Sequence, residues 1–147
     1  MMDVNKQVTR YTDWYGDGAT GESPTSQQWQ NILGRPDDKP VTLINFFKLR
    51  EVADYGDGES DLTGEEAFAK YAEVSIPTME RVGGRFLFVG PHQGSFLGND
   101  EDWDLIAIGT YPDLNAFKEL YADEEYRKVF HHRSAACADQ KVIVCGE

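Results

Sequence analysis

The chain has 147 residues, a length typical of one domain built around a single core. Hydrophobic residues make up 40% of it and aromatic residues 12%, which argues against extensive disorder. The formal net charge of −12 argues against nucleic acid and an anionic membrane surface as partners, because both are themselves negatively charged.

The first residues lack the apolar run of a signal peptide, and no segment approaches the roughly 20 apolar residues that span a bilayer. A cytoplasmic location is therefore expected. Cys137 and Cys145 form neither a CxxC pair nor a framework of four or more cysteines, so we expect both to be reduced and structural.

Residues 1–40 are polar and rich in turn formers, and they predict an N-terminal arm with one short helix. Ser23 can cap this helix and Pro24 suits its first position. Three apolar residues then fall on one face before Gly34: Trp29, Ile32 and Leu33.

Residues 41–49 are rich in β-formers and predict a largely buried strand. Thr63 and Glu66 have the spacing of a capping box, which predicts the start of a helix. Gly83-Gly84 supplies a left-handed stop for this helix. Pro77 predicts a kink, because proline cannot donate to the carbonyl four residues earlier.

Four further elements follow along the chain. Residues 85–89 and 103–111 predict two strands joined by a glycine-rich connection, and helices are predicted to start at Pro112-Asp113 and at Glu124, the second running to about Ala138. Residues 142–144 predict a short buried strand that closes the domain.

This order predicts an α+β fold of the ferredoxin-like βαββαβ type over residues 41–147, with a four-stranded antiparallel sheet and helices on one face. Apolar side chains fill both faces of the sheet, since Ile44 and Phe46 alternate with Leu43 and Phe47. The face without helices therefore needs a cover, and we expect a homodimer in which a second copy supplies it.

From Val41 to Cys145 the chain resembles the dimeric α/β-barrel superfamily, and most closely a bacterial family of uncharacterised proteins within it. Five segments carry the resemblance: Gly83-Gly84-Arg85-Phe86-Leu87, Trp103-Asp104-Leu105-Ile106, Tyr111-Pro112-Asp113-Leu114-Asn115-Ala116-Phe117, Tyr121-Ala122-Asp123-Glu124-Glu125-Tyr126 and His132-Arg133-Ser134-Ala135-Ala136.

The resemblance implies a dimer whose two sheets close into a barrel, with a cleft between sheet and helices in each protomer. Relatives elsewhere in the superfamily include cofactor-free oxygenases, lactone isomerases and haem-dependent enzymes. The immediate family has no agreed reaction, so the resemblance assigns no catalytic residue. Residues 1–40 and the acidic connection 51–62 are additional to the short form of the family, and either segment could cover or remodel the cleft.

Asn45 and Phe47 are candidate ligand-binding residues, because they share one face of the first strand. An amide among apolar neighbours needs a hydrogen-bond partner. Asn45 could orient a ligand, although a bond to nearby backbone is the preferred interpretation.

Arg85 could hold a carboxylate ligand or pair with one of the chain's many acids, and the internal pair is preferred. Tyr71 and Trp103 could form an aromatic wall for a small molecule, although aromatic residues at such positions belong to the core more often than to a pocket.

His132 is a candidate general acid or base, because an unperturbed imidazole pKa of about 6.5 suits proton transfer near neutrality. A solvated surface position is its preferred interpretation. His131 and His132 point about 100° apart on a helix, so they do not readily hold one metal ion together. His92 has no partner at a metal-binding spacing.

Tyr15-Gly16-Asp17-Gly18 and Tyr55-Gly56-Asp57-Gly58 form a short repeat of acidic turns. Asp54, Asp57, Glu59 and Asp61 carry oxygen ligands of the kind that calcium takes, but their spacing is not that of a helix-loop-helix calcium site. Flexible acidic turns are the preferred interpretation, and no metal or other cofactor is expected.

The sequence leaves two functional hypotheses open. The leading one is a homodimer that binds or converts a small organic acid or aromatic compound without a cofactor. The alternative is a non-catalytic binding or assembly module with a filled cleft. A cavity with two or more converging polar groups would favour the first hypothesis, and a packed cleft would favour the second.

Overall fold

The computed structural model describes residues 3–56, 58 and 61–146. Within these residues the chain forms five helices and four strands, in the order α1 (Val4–Tyr15), α2 (Ser26–Leu33), β1 (Val41–Leu49), α3 (Gly64–Arg81), β2 (Arg85–Pro91), β3 (Leu105–Tyr111), α4 (Leu114–Ala122), α5 (Glu124–Ala136) and β4 (Cys137–Gly146).

The four strands form one sheet in the order β2-β3-β1-β4, and every neighbouring pair is antiparallel. With α3 and the α4–α5 pair as the two crossovers, this is the ferredoxin-like βαββαβ arrangement. The predicted α+β fold class is therefore confirmed.

One face of the sheet, the helix face, packs against the helices. Val41, Leu43 and Phe47 of β1 point to this face and are buried in the core. The opposite face, the open face, carries the alternate side chains of each strand. Its apolar members are Ile44, Phe46, Phe88, Ile106, Ile108 and Ile143.

Helix α3 begins as the sequence predicts. Thr63 Oγ1 accepts a hydrogen bond from the Glu66 backbone N–H, and Glu66 Oε1 accepts one from the Thr63 N–H. The helix continues through Pro77, and the chain leaves it at Gly83, whose φ of 99° lies in the left-handed region that suits glycine.

The prediction of a single short helix in residues 1–40 is wrong, because α1 precedes α2. Asp3 caps α1 by accepting from the Lys6 N–H. Thr25, and not Ser23, caps α2. Both helices are anchored in the core, where the rings of Tyr11 and Trp29 stack with centroids 4.6 Å apart.

The predicted boundaries near the C-terminus also need correction. Helix α5 ends at Ala136, and β4 occupies 137–146 where a buried strand over 142–144 was predicted. Residues 142–144 are exposed, because they lie at the end of an edge strand that no helix of the described residues covers. The polar residues Asp139 and Gln140 of β4 still pair with Lys48 and Phe47 of β1, because ladder hydrogen bonds involve the backbone whatever the side chain.

Candidate functional site

A buried arginine lies at the centre of the cleft between the sheet and the helices. Arg133 shares one stripe of α5 with Tyr126 and Phe130, so its side chain points inward, and the residue is only 5% exposed. Its Nε donates to Gln140 Oε1 over 2.8 Å and its Nη1 to Tyr71 Oη over 3.2 Å. Its Nη2 donates to Asn45 Oδ1 over 3.4 Å.

Aromatic rings enclose the Arg133 guanidinium. Its central carbon lies 4.8 Å from the ring centroid of Phe47, 5.6 Å from that of Tyr71 and 5.7 Å from that of Phe130. Contacts of this kind are attractive, because the face of an aromatic ring is electrically negative. They hold the cation but do not neutralise it.

No carboxylate of the described residues pairs with Arg133 within 4.0 Å. Burial lowers the pKa of Arg133, but the nearby phenols of Tyr71, Tyr121 and Tyr126 raise this pKa by more than burial lowers it. The guanidinium therefore stays charged. Burial raises the pKa of Tyr126 well above its usual value, so this phenol stays neutral. The cleft therefore holds one positive charge with no counter-ion among the described residues, a costly arrangement that a bound anion would relieve.

A cavity of about 100 Å³ opens beside Arg133, between α3 and the helix face of the sheet. Asn45, Tyr71 and Arg133 bring polar atoms to its wall, and Phe47 and Phe68 belong to its apolar lining. An apolar protein cavity of about 150 Å³ holds benzene, so this volume suits a molecule of a few carbon atoms. The cleft is thus not packed solid, and several polar groups converge on it.

Three of the candidates predicted from the sequence lie together at this cavity: Asn45, Phe47 and Tyr71. Asn45 Nδ2 also donates to the Ala107 carbonyl over 3.0 Å, which fixes the amide so that its oxygen faces Arg133. The Tyr71 and Tyr126 hydroxyl oxygens lie 2.6 Å apart, so Tyr71 links Arg133 to a second phenol.

Arg85 and Trp103 lie away from this cavity. Arg85 is exposed and opposite Thr110, on the open face. The predicted pairing of Arg85 with an acid is not found among the described residues. Trp103 precedes β3, packs its ring 5.6 Å from that of Phe46 and donates from Nε1 to Glu101 over 2.7 Å.

His132 lies outside the wall of this cavity as well. Its Nδ1 is 2.7 Å from the hydroxyl oxygen of Tyr55. Burial, with smaller effects from His131 and Lys70, lowers the pKa of His132. The imidazole is therefore mainly neutral at pH 7 and forms a polar contact between α5 and the 51–62 connection.

The described residues contain no group of three or more histidine, cysteine or acidic side chains that could hold a metal ion. Asp57 and Glu59, two members of the acidic turn considered above, lie outside the described residues. Within the described part of the chain, no helix combines the length and apolar character needed to cross a bilayer.

Sequence reasoning missed Arg133 as a site residue. Its spacing from Tyr126 and Phe130 was a usable signal, because an arginine in phase with the apolar residues of a helix points toward the core. The lack of an oppositely charged partner within the described part of the chain became visible only in three dimensions.

Comparison with solved structures identifies two crystal structures of one similar protein. The protein is RPA0582, described as of unknown function, from Rhodopseudomonas palustris. One structure shares 34% identity at a TM-score of 0.78 and covers 85% of this chain and 93% of that one. The other shares 33% identity at a TM-score of 0.77 and covers 85% and 95%.

A variant of SnoaB, a cofactor-independent oxygenase from Streptomyces nogalater, shares 16% identity at a TM-score of 0.47, with 75% and 92% coverage, a likeness too distant to support a functional argument. No curated protein matches the chain. DUF1330, a domain of unknown function, matches residues 55–147. The chain therefore belongs to the DUF1330 family.

Proposed function

We propose that the protein binds a small organic acid in the cleft cavity, with the carboxylate of the acid on Arg133. The supporting observation is a buried guanidinium that borders a cavity and lacks a carboxylate partner among the described residues. A planar guanidinium binds a carboxylate through two parallel hydrogen bonds, so it selects this group by shape as well as by charge.

The cavity wall supports a specific orientation of the bound acid. Asn45 and Tyr71 hold the two Nη atoms of Arg133, and the carboxylate would bind beside these contacts. Phe47 and Phe68 would cover the apolar part of the acid. The Tyr71 hydroxyl accepts from Arg133 and lies 2.6 Å from that of Tyr126, so it holds the guanidinium in position for the bound acid.

The proposal includes a homodimer that is formed through the open face of the sheet. Phe88 on this face is 52% exposed and Ile143 is 37% exposed, while Ile44 and Ile108 are only half-buried. A contiguous apolar surface of this kind is typical of an interaction site. A second copy presents the same surface, so two sheets can cover each other about a twofold axis.

A non-catalytic assembly module is the alternative, and one observation favours it. Phe96 and Leu97, in the connection between β2 and β3, are 103% and 86% exposed, more than the open face itself. Such side chains suit contact with a partner protein. This alternative requires no acid in the cleft, so a binding experiment separates the two functions.

The experiment compares butanoate with butanamide, its neutral analogue, by isothermal titration calorimetry on the native protein and two variants. Arg133→Met removes the proposed anchor, and Arg85→Met makes the same change on the open face. Hydrogen bonds to a charged group contribute about 1.5–3 kcal/mol, so we expect Arg133→Met to weaken butanoate binding about 10- to 100-fold. Arg85→Met should change it little. Equal affinity for butanoate and butanamide, or a loss caused by Arg85→Met alone, would refute the proposal.

A further inference from the structure

A second and larger cavity adjoins Arg133. It measures about 570 Å³ and lies between the segment around α2 and strand β4. This volume falls within the range of about 300–1,000 Å³ that is usual for small-molecule sites. Leu43, Tyr121 and Arg133 line both cavities. A carboxylate bound to Arg133 would therefore lie where the two cavities meet.

The floor of the second cavity is an apolar stretch of β4. Val142 and Val144 pair with Asn45 and Leu43 and share their helix face. They are nevertheless 42% and 41% exposed, whereas Leu43 is 6% exposed. The described residues of the chain thus leave the end of their own helix face uncovered, beside a buried positive charge.

The wall of this cavity also carries a buried donor. Trp29 is 1% exposed, and its Nε1 finds no hydrogen-bond acceptor among the described residues. Such donors are rare, because a buried N–H without a partner loses its hydrogen bond to water and gains nothing in return. A straight-chain acid whose carboxylate binds Arg133 has no oxygen for this N–H, so the unpaired donor remains a local cost of burying Trp29.

We infer that this cavity takes the apolar tail of an acid whose carboxylate binds Arg133. The inference rests on the proposed function and narrows the substrate class to amphipathic monocarboxylic acids. Scaled from the benzene-sized cavity of about 150 Å³, the volume holds about 20 carbon atoms. Part of this volume opens to solvent, so we expect a tail of about 8–12 carbons. A tail supplies the cover that Val142 and Val144 lack, and the charged end meets Arg133.

The test measures the affinity of the native protein for straight-chain acids from butanoate to dodecanoate. Each buried methylene should strengthen binding about fourfold, until the tail fills the cavity. Val144→Trp should abolish this increase and leave butanoate binding unchanged. Ala138→Trp places the same side chain at an exposed position of β4 outside the cavity wall, and it should preserve the increase.

Two outcomes distinguish this inference from the proposed function. Binding of butanoate without any increase along the series would overturn the inference alone, as would an increase that survives Val144→Trp. Failure of every acid to bind would overturn both.

A spectroscopic measurement covers the case in which Val144→Trp does not fold. In a double variant, Trp14→Phe and Trp103→Phe, the remaining indole is Trp29 of the cavity wall. Decanoate with bromine on its last carbon should quench the Trp29 fluorescence, and unlabelled decanoate should reverse the quenching by competition. Binding of the brominated acid without quenching would contradict the inference.

Discussion

Replacing Gln140 by glutamate should stabilise the protein and weaken its binding of acids at the same time. Gln140 Oε1 already accepts from Arg133 Nε over 2.8 Å, so the change supplies a carboxylate of the same shape. At an effective dielectric constant of about 20, opposite charges 2.8 Å apart attract by about 6 kcal/mol. Desolvation of the new carboxylate cancels several kcal/mol of this attraction, and the half-buried position limits that cost. We expect a net gain of about 1–2 kcal/mol.

The assay combines calorimetric unfolding at pH 7 with butanoate titration. A gain of this size should raise the Tm by about 3–6 °C, and loss of the free positive charge should weaken butanoate binding at least tenfold. Gln93→Glu adds the same charge at an exposed position and should do neither.

The guanidinium depresses the pKa of the introduced carboxylate below the usual value of about 4.3. The added stability should therefore be complete above that pH and disappear as the pH falls below it. A Tm that is unchanged or lower at pH 7, with butanoate binding intact, would refute the view that Arg133 lacks a counter-ion among the residues that the structure describes.

Three other outcomes follow from the structure. Ile108→Lys on the open face should give a monomer in sedimentation velocity, whereas Asn115→Lys on the exposed side of α4 should leave the dimer intact; a monomeric native protein would contradict the dimer. Burial lowers the pKa of His132, so protonation opposes folding and stability should fall as the pH drops below about 6.5. His132→Gln should reduce this loss of stability, as measured by urea unfolding at each pH. An NMR titration midpoint of His132 above about 6.5 would show that its pKa is not lowered. Burial raises the pKa of the Cys137 thiol to about 11, so the folded native protein and Cys137→Ala should react with the same number of equivalents of a thiol reagent at pH 8. Extra reactivity in the native protein would show that Cys137 is accessible.

The order of elements in the ferredoxin-like domain could be predicted because its signals are local. The capping box of Thr63 and Glu66 and the β-formers of 41–49 each specify structure within a few residues. Helix α1 carried a usable signal that the prediction missed, because Val4, Val8, Tyr11 and Tyr15 recur at helical spacing and pack in or against the core. Contact of Tyr11 with Trp29, 18 positions along the chain, stabilises this helix, and such a contact is not visible in a local pattern.

The candidate site was predicted in part, for a similar reason. Asn45 and Phe47 were found because alternation along β1 places them on the helix face. Arg85 of β2 lies on the open face, and simple alternation turns Phe86 toward the cavity. A register shift between Phe86 and Phe88 then brings Val89 to the cavity as well. Single-residue bulges leave little trace in a sequence. The role of Arg133 depends on which acids lie near it, and only the assembled fold determines that.

A crystal structure of the native protein grown with decanoate tests the central claim most directly. We expect a carboxylate with its oxygens about 2.7–2.9 Å from the nitrogens of Arg133 and a tail over Val142 and Val144. Water alone in both cavities, or decanoate bound away from Arg133, would contradict it.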